Sequence, residues 1–255
     1  AMFIHADGTV YGRYGTQSAA GADAYNSISS LEKAMLRVLK LHRNYPKNKV
    51  VLASKKGQPK PYRTALEMPG LTNKDKYAGA TARNNCIHCH NIHDAEYDHQ
   101  LSTGKFTKDL LWRYPLPENL GIHIDGTDGQ LVKSVNSGSV AGRGDIRAGD
   151  RIVKVNGQAI ISIADIQWVL HNLPNQRTLV RFEVERKGTV KTCTVVPSHG
   201  WKKTDISWRG SLWNMRPRLR VWTPEATAND LKRIGLSNDQ KALKVKWINR
   251  KSPEG

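Results

Sequence analysis

Ser137-Gly138-Ser139-Val140-Ala141-Gly142-Arg143-Gly144-Asp145-Ile146-Arg147-Ala148-Gly149-Asp150-Arg151-Ile152, followed by Val155-Asn156-Gly157-Gln158, is the stretch on which the fold reading turns. Its glycines stand where backbone turns need a residue without a Cβ. Upstream, Leu120-Gly121-Ile122-His123-Ile124 alternates as a strand does. Asp128-Gly129 then marks a turn before Leu131-Val132-Lys133-Ser134-Val135. Downstream, Ser162 is placed to cap a helix from Ile163 to Leu173, and strands are predicted at 178–186 and 190–196.

In this order, residues 115–198 resemble a bacterial PDZ domain, whose signature reads "gSpA…aGl.aGD.I..vnG". Two departures stand out: Val140 takes the place of the usual Pro, and Asp145-Ile146 after Gly144 inserts one residue into a short turn. The resemblance implies a partly open β-barrel with two helices. It also implies a groove in which an extended peptide adds as a strand and its C-terminal carboxylate meets loop amides. The loop would be Asn119-Leu120-Gly121 and the receiving strand Ile122 to Ile124. The facing helix would carry Ile163, Gln167 and Leu170. Those apolar positions favour an apolar C-terminal residue. The competing expectation is a groove filled by the chain itself or by a neighbouring domain. No Ser-His-Asp constellation accompanies the module, because Asp165 and His171 sit at a helical spacing that forms no triad.

A second motif is Cys86-Ile87-His88-Cys89-His90, a C-x-x-C-H sequence in a chain with three cysteines and nine histidines. Two thiols so spaced reach the two vinyl groups of one haem, and the following histidine becomes the proximal iron ligand. The reading is therefore one covalent haem c on Cys86 and Cys89, with His90 as proximal ligand. The distal ligand is not fixed by the motif. His42, the one polar member of the helical stripe Leu31, Met35, Val38 and His42, is the first choice, because its burial would need a partner. Met68 is the second. The same residues support two alternatives: a zinc site using Cys86, Cys89 and two of His88, His90, His93 and His99, and a redox dithiol. Cys193 reads as a small core residue.

Before this motif, Asp7-Gly8 between β-rich runs predicts a hairpin over residues 2–14. Ser29 and Glu32 then predict a capping box, and Tyr45-Pro46 a helix end. This hairpin and helix, residues 1–45, resemble the C-terminal portion of a thioredoxin-like fold. Residues 46–114 form an irregular or helical haem c segment with a short helix from Asn91 to His99. Residues 199–240 are a linker rich in Trp and Arg, including Trp201, Trp208, Trp213, Trp222, Arg209, Arg216, Arg218 and Arg220. Packing between modules with arginines stacked on indoles is the expected role; an anionic membrane surface or a partner strip are the others. Residues 241–255 echo Gln130 to Ser139 and read as the start of a second, truncated PDZ-like module.

The fold class is thus α+β and multidomain. The order of parts resembles secreted bacterial proteins that fuse thioredoxin-like and PDZ domains around a C-x-x-C-H motif. Haem is normally joined to that motif outside the cytoplasm, so a periplasmic or other extracytoplasmic location is expected. The opening at Ala1 and the stop at Gly255 read as those of a fragment. A formal charge of +18, from 40 Lys+Arg against 22 Asp+Glu, draws acidic partners, including an acidic redox protein. The bases are dispersed and no nucleic-acid motif is present, so nucleic acid is not expected. The leading function is electron transfer or redox sensing beside a protein partner. The alternative is a PDZ peptide-binding scaffold whose Cys/His motif is structural, and the third is a haem peroxidase-like or thiol-disulfide enzyme.

Overall fold

A computed structural model describes residues 1–21, 23–79, 82, 85–209 and 221–248. The chain divides into two compact units, Ala1–Arg209 and Gly210–Gly255. Trp213, Arg216, Arg218, Arg220 and residues 249–255 of the repeat lie outside the described residues.

The first unit opens with strands β1 (Met2–Ile4) and β2 (Val10–Arg13), antiparallel and joined through Gly8 at φ +83°. The hairpin is where the Asp7-Gly8 pair places it. Helix α1 (Ile28–Arg43) follows, but its cap is Ser27 rather than Ser29. The Ser27 and Ser30 side chains close the box, and Tyr14 hydrogen-bonds to both Ser27 O and Ser30 Oγ. Most of the anticipated stripe faces inward, with Ala34 buried and Leu31, Val38 and Leu41 half-buried, but its Met35 and His42 edge does not. Ser30 and Ala34 are buried, whereas Met35 is 49 % exposed and His42 is exposed. The helix is held about its axis by Arg37, which donates to Asp128 O at 2.7 Å and Ile161 O at 2.9 Å. That clamp sets which side faces inward.

Short helices α2 (Lys49–Leu52) and α3 (Lys74–Ala78) punctuate the basic segment. Helix α4 (Cys89–Ser102) is longer than the Asn91–His99 expectation. Met68, Leu71 and Ala95 form a small buried cluster on it, joined by Ile87, Ile92 and Tyr77.

Residues 115–203 contain the main core. Strands β3 (Ile122–Ile124) and β4 (Val132–Val135) pair antiparallel as a two-stranded sheet. Helix α5 (Val140–Arg143) is capped by Ser139. A four-stranded antiparallel sheet follows in the order β6-β5-β7-β8, from β5 (Arg151–Val155), β6 (Gln158–Ala159), β7 (Val180–Arg186) and β8 (Thr189–Val195). Helix α6 (Ile163–His171) packs on it with Ser162 as cap. Ile122, Ile152, Ile166, Leu170 and Phe182 are sealed from solvent, and Cys193 is buried among them, as a small core residue would be. Gly144 lies in the inserted turn. A Cβ there would stand 2.4 Å from Thr194 O, so a glycine lets the turn close onto β8.

Trp201, read from the sequence as the start of a linker, belongs to this same core and donates from Nε1 to Pro174 O at 3.0 Å. Further on, the second unit is a small body of its own. Strands β9 (Val221–Trp222) and β10 (Trp247–Ile248) pair antiparallel around helix α7 (Ala228–Arg233), with a bridge between Glu225 and Leu243. No helix among the described residues is long and apolar enough to cross a membrane.

Residues 1–55 are tied to the PDZ core by charge. Asp128 receives Arg37 at 2.6 Å and Arg151 at 2.8 Å. Burial works against its ionisation, yet Arg151 and Arg37 outweigh that and hold its pKa at about 2. A carboxylate held below its ordinary value stabilises the fold above about pH 4 and loses that contribution as the pH falls toward 2. Stability measured by urea unfolding should therefore drop more steeply between pH 5 and pH 2.5 in the native protein than in Asp128→Asn. Equal slopes would remove Asp128 from the account of acid sensitivity.

Candidate functional site

The expected groove would be built from β3, the turn before it and α6. Pro117–Leu120 forms a 3-10 turn, and Gly121 leaves it at φ +88°, a conformation that glycine adopts without strain. A Cβ there would also strike Ser139 at 2.3 Å. Gly121 O accepts from Asn136 N, and Asp125 N donates to Leu131 O. Antiparallel alternation then turns the N–H and C=O of Ile122 and Ile124 away from β4. Among the described residues no strand pairs with that edge. Ile163 and Leu170 of α6 are buried in the same core.

This edge is nevertheless covered. Ile122 has 0 % and Ile124 4 % of its surface exposed. Tyr25 packs against the core and donates through its hydroxyl to Glu118, just before β3. Ser27 Oγ donates to Gly126 O at 3.1 Å, just after it, and a Cβ on Gly126 would lie 2.8 Å from Ala24 O. Segment 24–27 therefore touches the chain on both sides of the receiving strand.

The polar groove residues are also engaged by the chain itself. Gln167 Nε2 donates to Tyr114 O at 2.8 Å. Asn119 Nδ2 donates to Trp201 O at 2.9 Å and Lys203 O at 3.0 Å. His171, at the end of α6, lies with its ring 4.3 Å from Tyr114. Burial, with Lys202 and Arg113 adding repulsion, pushes its pKa down to about 4. Lys202 donates to His171 O at 2.6 Å, and burial lowers its own pKa to about 8. Neither Tyr25 nor Glu118 was singled out from the sequence. The only signal was an aromatic residue in a Gly/Ala/Ser-rich loop.

Asp165 and His171 serve different partners. Asp165 is fully buried and accepts from Lys55 Nζ at 2.8 Å, Ile161 N at 3.1 Å and Arg13 N at 3.1 Å. Tyr114 N donates toward His171 Nδ1 at 3.5 Å.

The cysteine motif lies on the surface. Cys86 and Cys89 are exposed free thiols, and Cys89 is the first residue of α4. The His90 side chain is 61 % exposed with Nδ1 3.7 Å from Asp94. His88 stacks on His90 with centroids 5.6 Å apart. Both thiols are thus open to covalent attachment of a porphyrin, and His90 is unburdened by a strong partner. His42, the first choice for a distal ligand, lies at the solvent edge of the α1 stripe. That ring is exposed, shares a 2.8 Å hydrogen bond with the Tyr11 hydroxyl and lies 5.9 Å from His5. The premise of a buried imidazole needing compensation therefore does not hold. Met68 is 5 % exposed, in the apolar cluster with Ile87 and Ile92 that flanks the motif. Among the described residues no three His, Cys, Asp or Glu side chains converge as a metal site, which leaves the zinc alternative without a preformed ligand set.

Residues 131–184 match the PDZ domain family, so the chain contains a PDZ domain. The chain is also similar to a probable periplasmic serine endoprotease, DegP-like, of Pseudomonas savastanoi pv. phaseolicola. Identity is 32 % over 125 residues, which is 48 % of this chain and 25 % of that relative. The matched part thus spans about a quarter of the relative's length.

Proposed function

We propose that residues 115–203 are a peptide-docking PDZ module, working as a scaffold for protein partners outside the cytoplasm, whose groove is capped by the chain's own segment 24–27. The observation that carries this reading is the β3 edge: it lacks a paired strand among the described residues, and segment 24–27 touches the chain on both sides of it. Unpaired strand edges invite an added strand. Covering that edge with a loop instead of a strand leaves its hydrogen-bonding groups available once the loop moves. The periplasmic assignment of the similar endoprotease supports the location. Its proteolytic activity is not carried over, since the match covers a quarter of that protein and no triad is present among the described residues.

The test is an NMR titration with peptides ending in a free carboxylate and an apolar last residue. Shifts at the amides of Ile122 and Ile124 are the expected footprint. Tyr25→Ala should strengthen binding by about tenfold, because peptide affinity is reduced by the fraction of molecules in the capped state. If neither protein shifts those amides, the groove reading falls. If both bind equally, Tyr25 is no cap.

A second reading stands beside it, favoured by the two exposed thiols at the start of α4: attachment of haem c, for electron transfer or redox sensing. Cys86 and Cys89 would hold the group, His90 would ligate its iron, and the bound haem would supply one-electron chemistry. Met68 replaces His42 as the distal candidate. Protein made with haem-maturation machinery should keep a Soret band after acid-acetone extraction and lose it in Cys86→Ala/Cys89→Ala. An extractable or absent band would leave the scaffold alone.

A further inference from the structure

Beside α6 lies a cavity of about 130 Å³ whose wall includes Ser18, Arg113, Tyr114, Gln167, Trp208 and Arg209. Two of these six residues are arginines, and they are not in the same state. Arg113 is neutralised: it forms an ion pair with Glu96 and a 2.9 Å hydrogen bond with His93 Nδ1. Among the described residues Arg209 has no acidic partner within ion-pair distance, and its Nε is buried with no hydrogen-bond partner. Its guanidinium lies 4.8 Å over the Trp208 ring. Burial lowers its pKa, and Arg113 adds repulsion. Asp205, also on the wall, accepts from Ser207 N at 2.7 Å.

A half-buried guanidinium with an unused N–H, next to a second cation, lacks one anion. The fork of Arg209 suits a planar, two-oxygen anion best. The space is too small for more than such a group with a short apolar stem. We propose that this cavity is a carboxylate-binding site centred on Arg209, with Trp208 holding the fork in plane.

Two sources could present that carboxylate. Gln167 belongs to the groove helix, so an acidic side chain of a docked peptide is within range. His93, one turn along α4 from Cys89, is bonded to Arg113 and has its ring 5.9 Å from Tyr114. The propionate of a porphyrin tethered at Cys89 is the other source. The site stands whether or not β3 receives a peptide, since a small carboxylate alone reads it out.

The experiment follows the Arg209 Nε–H and Trp208 indole N–H resonances of the full chain as propionate is added. A saturable shift with propionate and none with propionamide is expected. Arg209→Gln should weaken binding at least tenfold. Trp208→Leu, which keeps the charge but removes the stacking face and the indole hydrogen bond to Asp205 O at 3.1 Å, should weaken it less and guards against a misfolded Arg209 variant. The same shift with propionamide, tighter binding of inorganic phosphate, or undiminished binding by Arg209→Gln would overturn the site. The source follows from two further arms. A groove peptide that shifts Arg209 with Glu but not with Gln assigns the carboxylate to the partner. An Arg209 resonance already displaced in haem-loaded protein, with nothing added, assigns it to the propionate.

Discussion

Asp165→Ala is expected to cost about 3–5 kcal/mol of unfolding free energy, because it leaves the buried Lys55 ammonium without its counter-charge. Lys55 and Asp165 are both fully buried, 2.8 Å apart. Burial by itself favours the neutral form of each, raising the carboxyl pKa and lowering the amine pKa. Each charge therefore depends on the other. Asp165 also binds the backbone amides of Arg13 and Ile161, so the loss reaches three segments at once. A domain of ordinary stability, about 5–15 kcal/mol, would be left marginal. Urea unfolding followed by tryptophan fluorescence measures the loss. The double variant Asp165→Asn/Lys55→Met, which removes both charges, should recover much of it. A loss under about 1 kcal/mol in Asp165→Ala would show that Asp165 is not what joins the N-terminal hairpin and the segment at Lys55 to α6.

Gly70→Val should cost about 3 kcal/mol, at the upper end of overpacking penalties. A Cβ on Gly70 would lie 2.0 Å from Ala95 O and 2.8 Å from His99 N, both backbone atoms of α4 that no rotamer change can move. The chain around Met68 would have to lift from the helix and open the Met68–Leu71–Ala95 cluster. Hydrogen exchange should report faster opening of α4 amides, with the PDZ strands β5, β7 and β8 unaffected. Gly79→Val is the control, since a Cβ there meets nothing within 4 Å. Similar effects from the two variants would mean that the close approach to α4 is not what holds residues 62–78.

Both predictions involve contacts that join segments far apart in the chain, and these were the least legible from the residues alone. Ser162 before Ile163 announces α6, and Asp7-Gly8 announces the first hairpin, because caps and tight turns are decided by neighbours in sequence. Ser29 was a plausible cap for α1 by the same local rule. Ser27 prevailed because Tyr14, thirteen residues earlier, hydrogen-bonds beside it. His42 was expected to be buried for a related reason: a stripe of Leu31, Met35 and Val38 fixes a helix but not which edge of the stripe meets solvent. Trp201 looked like linker because its core contacts lie with Pro174 and the turn at Asn119.

What the sequence determined by itself was the PDZ domain, from its turn glycines and strand alternation, and a C-x-x-C-H motif whose chemistry depends on five consecutive residues. Only the tertiary structure decided that segment 24–27 touches the chain on both sides of β3, that Lys55 and Asp165 share one dry site, and that Arg209 lines a cavity with no acidic side chain at ion-pair distance among the described residues. The physical reason is distance along the chain. Turn and cap energies act over a few residues, whereas burial and ion pairing depend on which remote segments meet, and that is set by the packing of the whole unit.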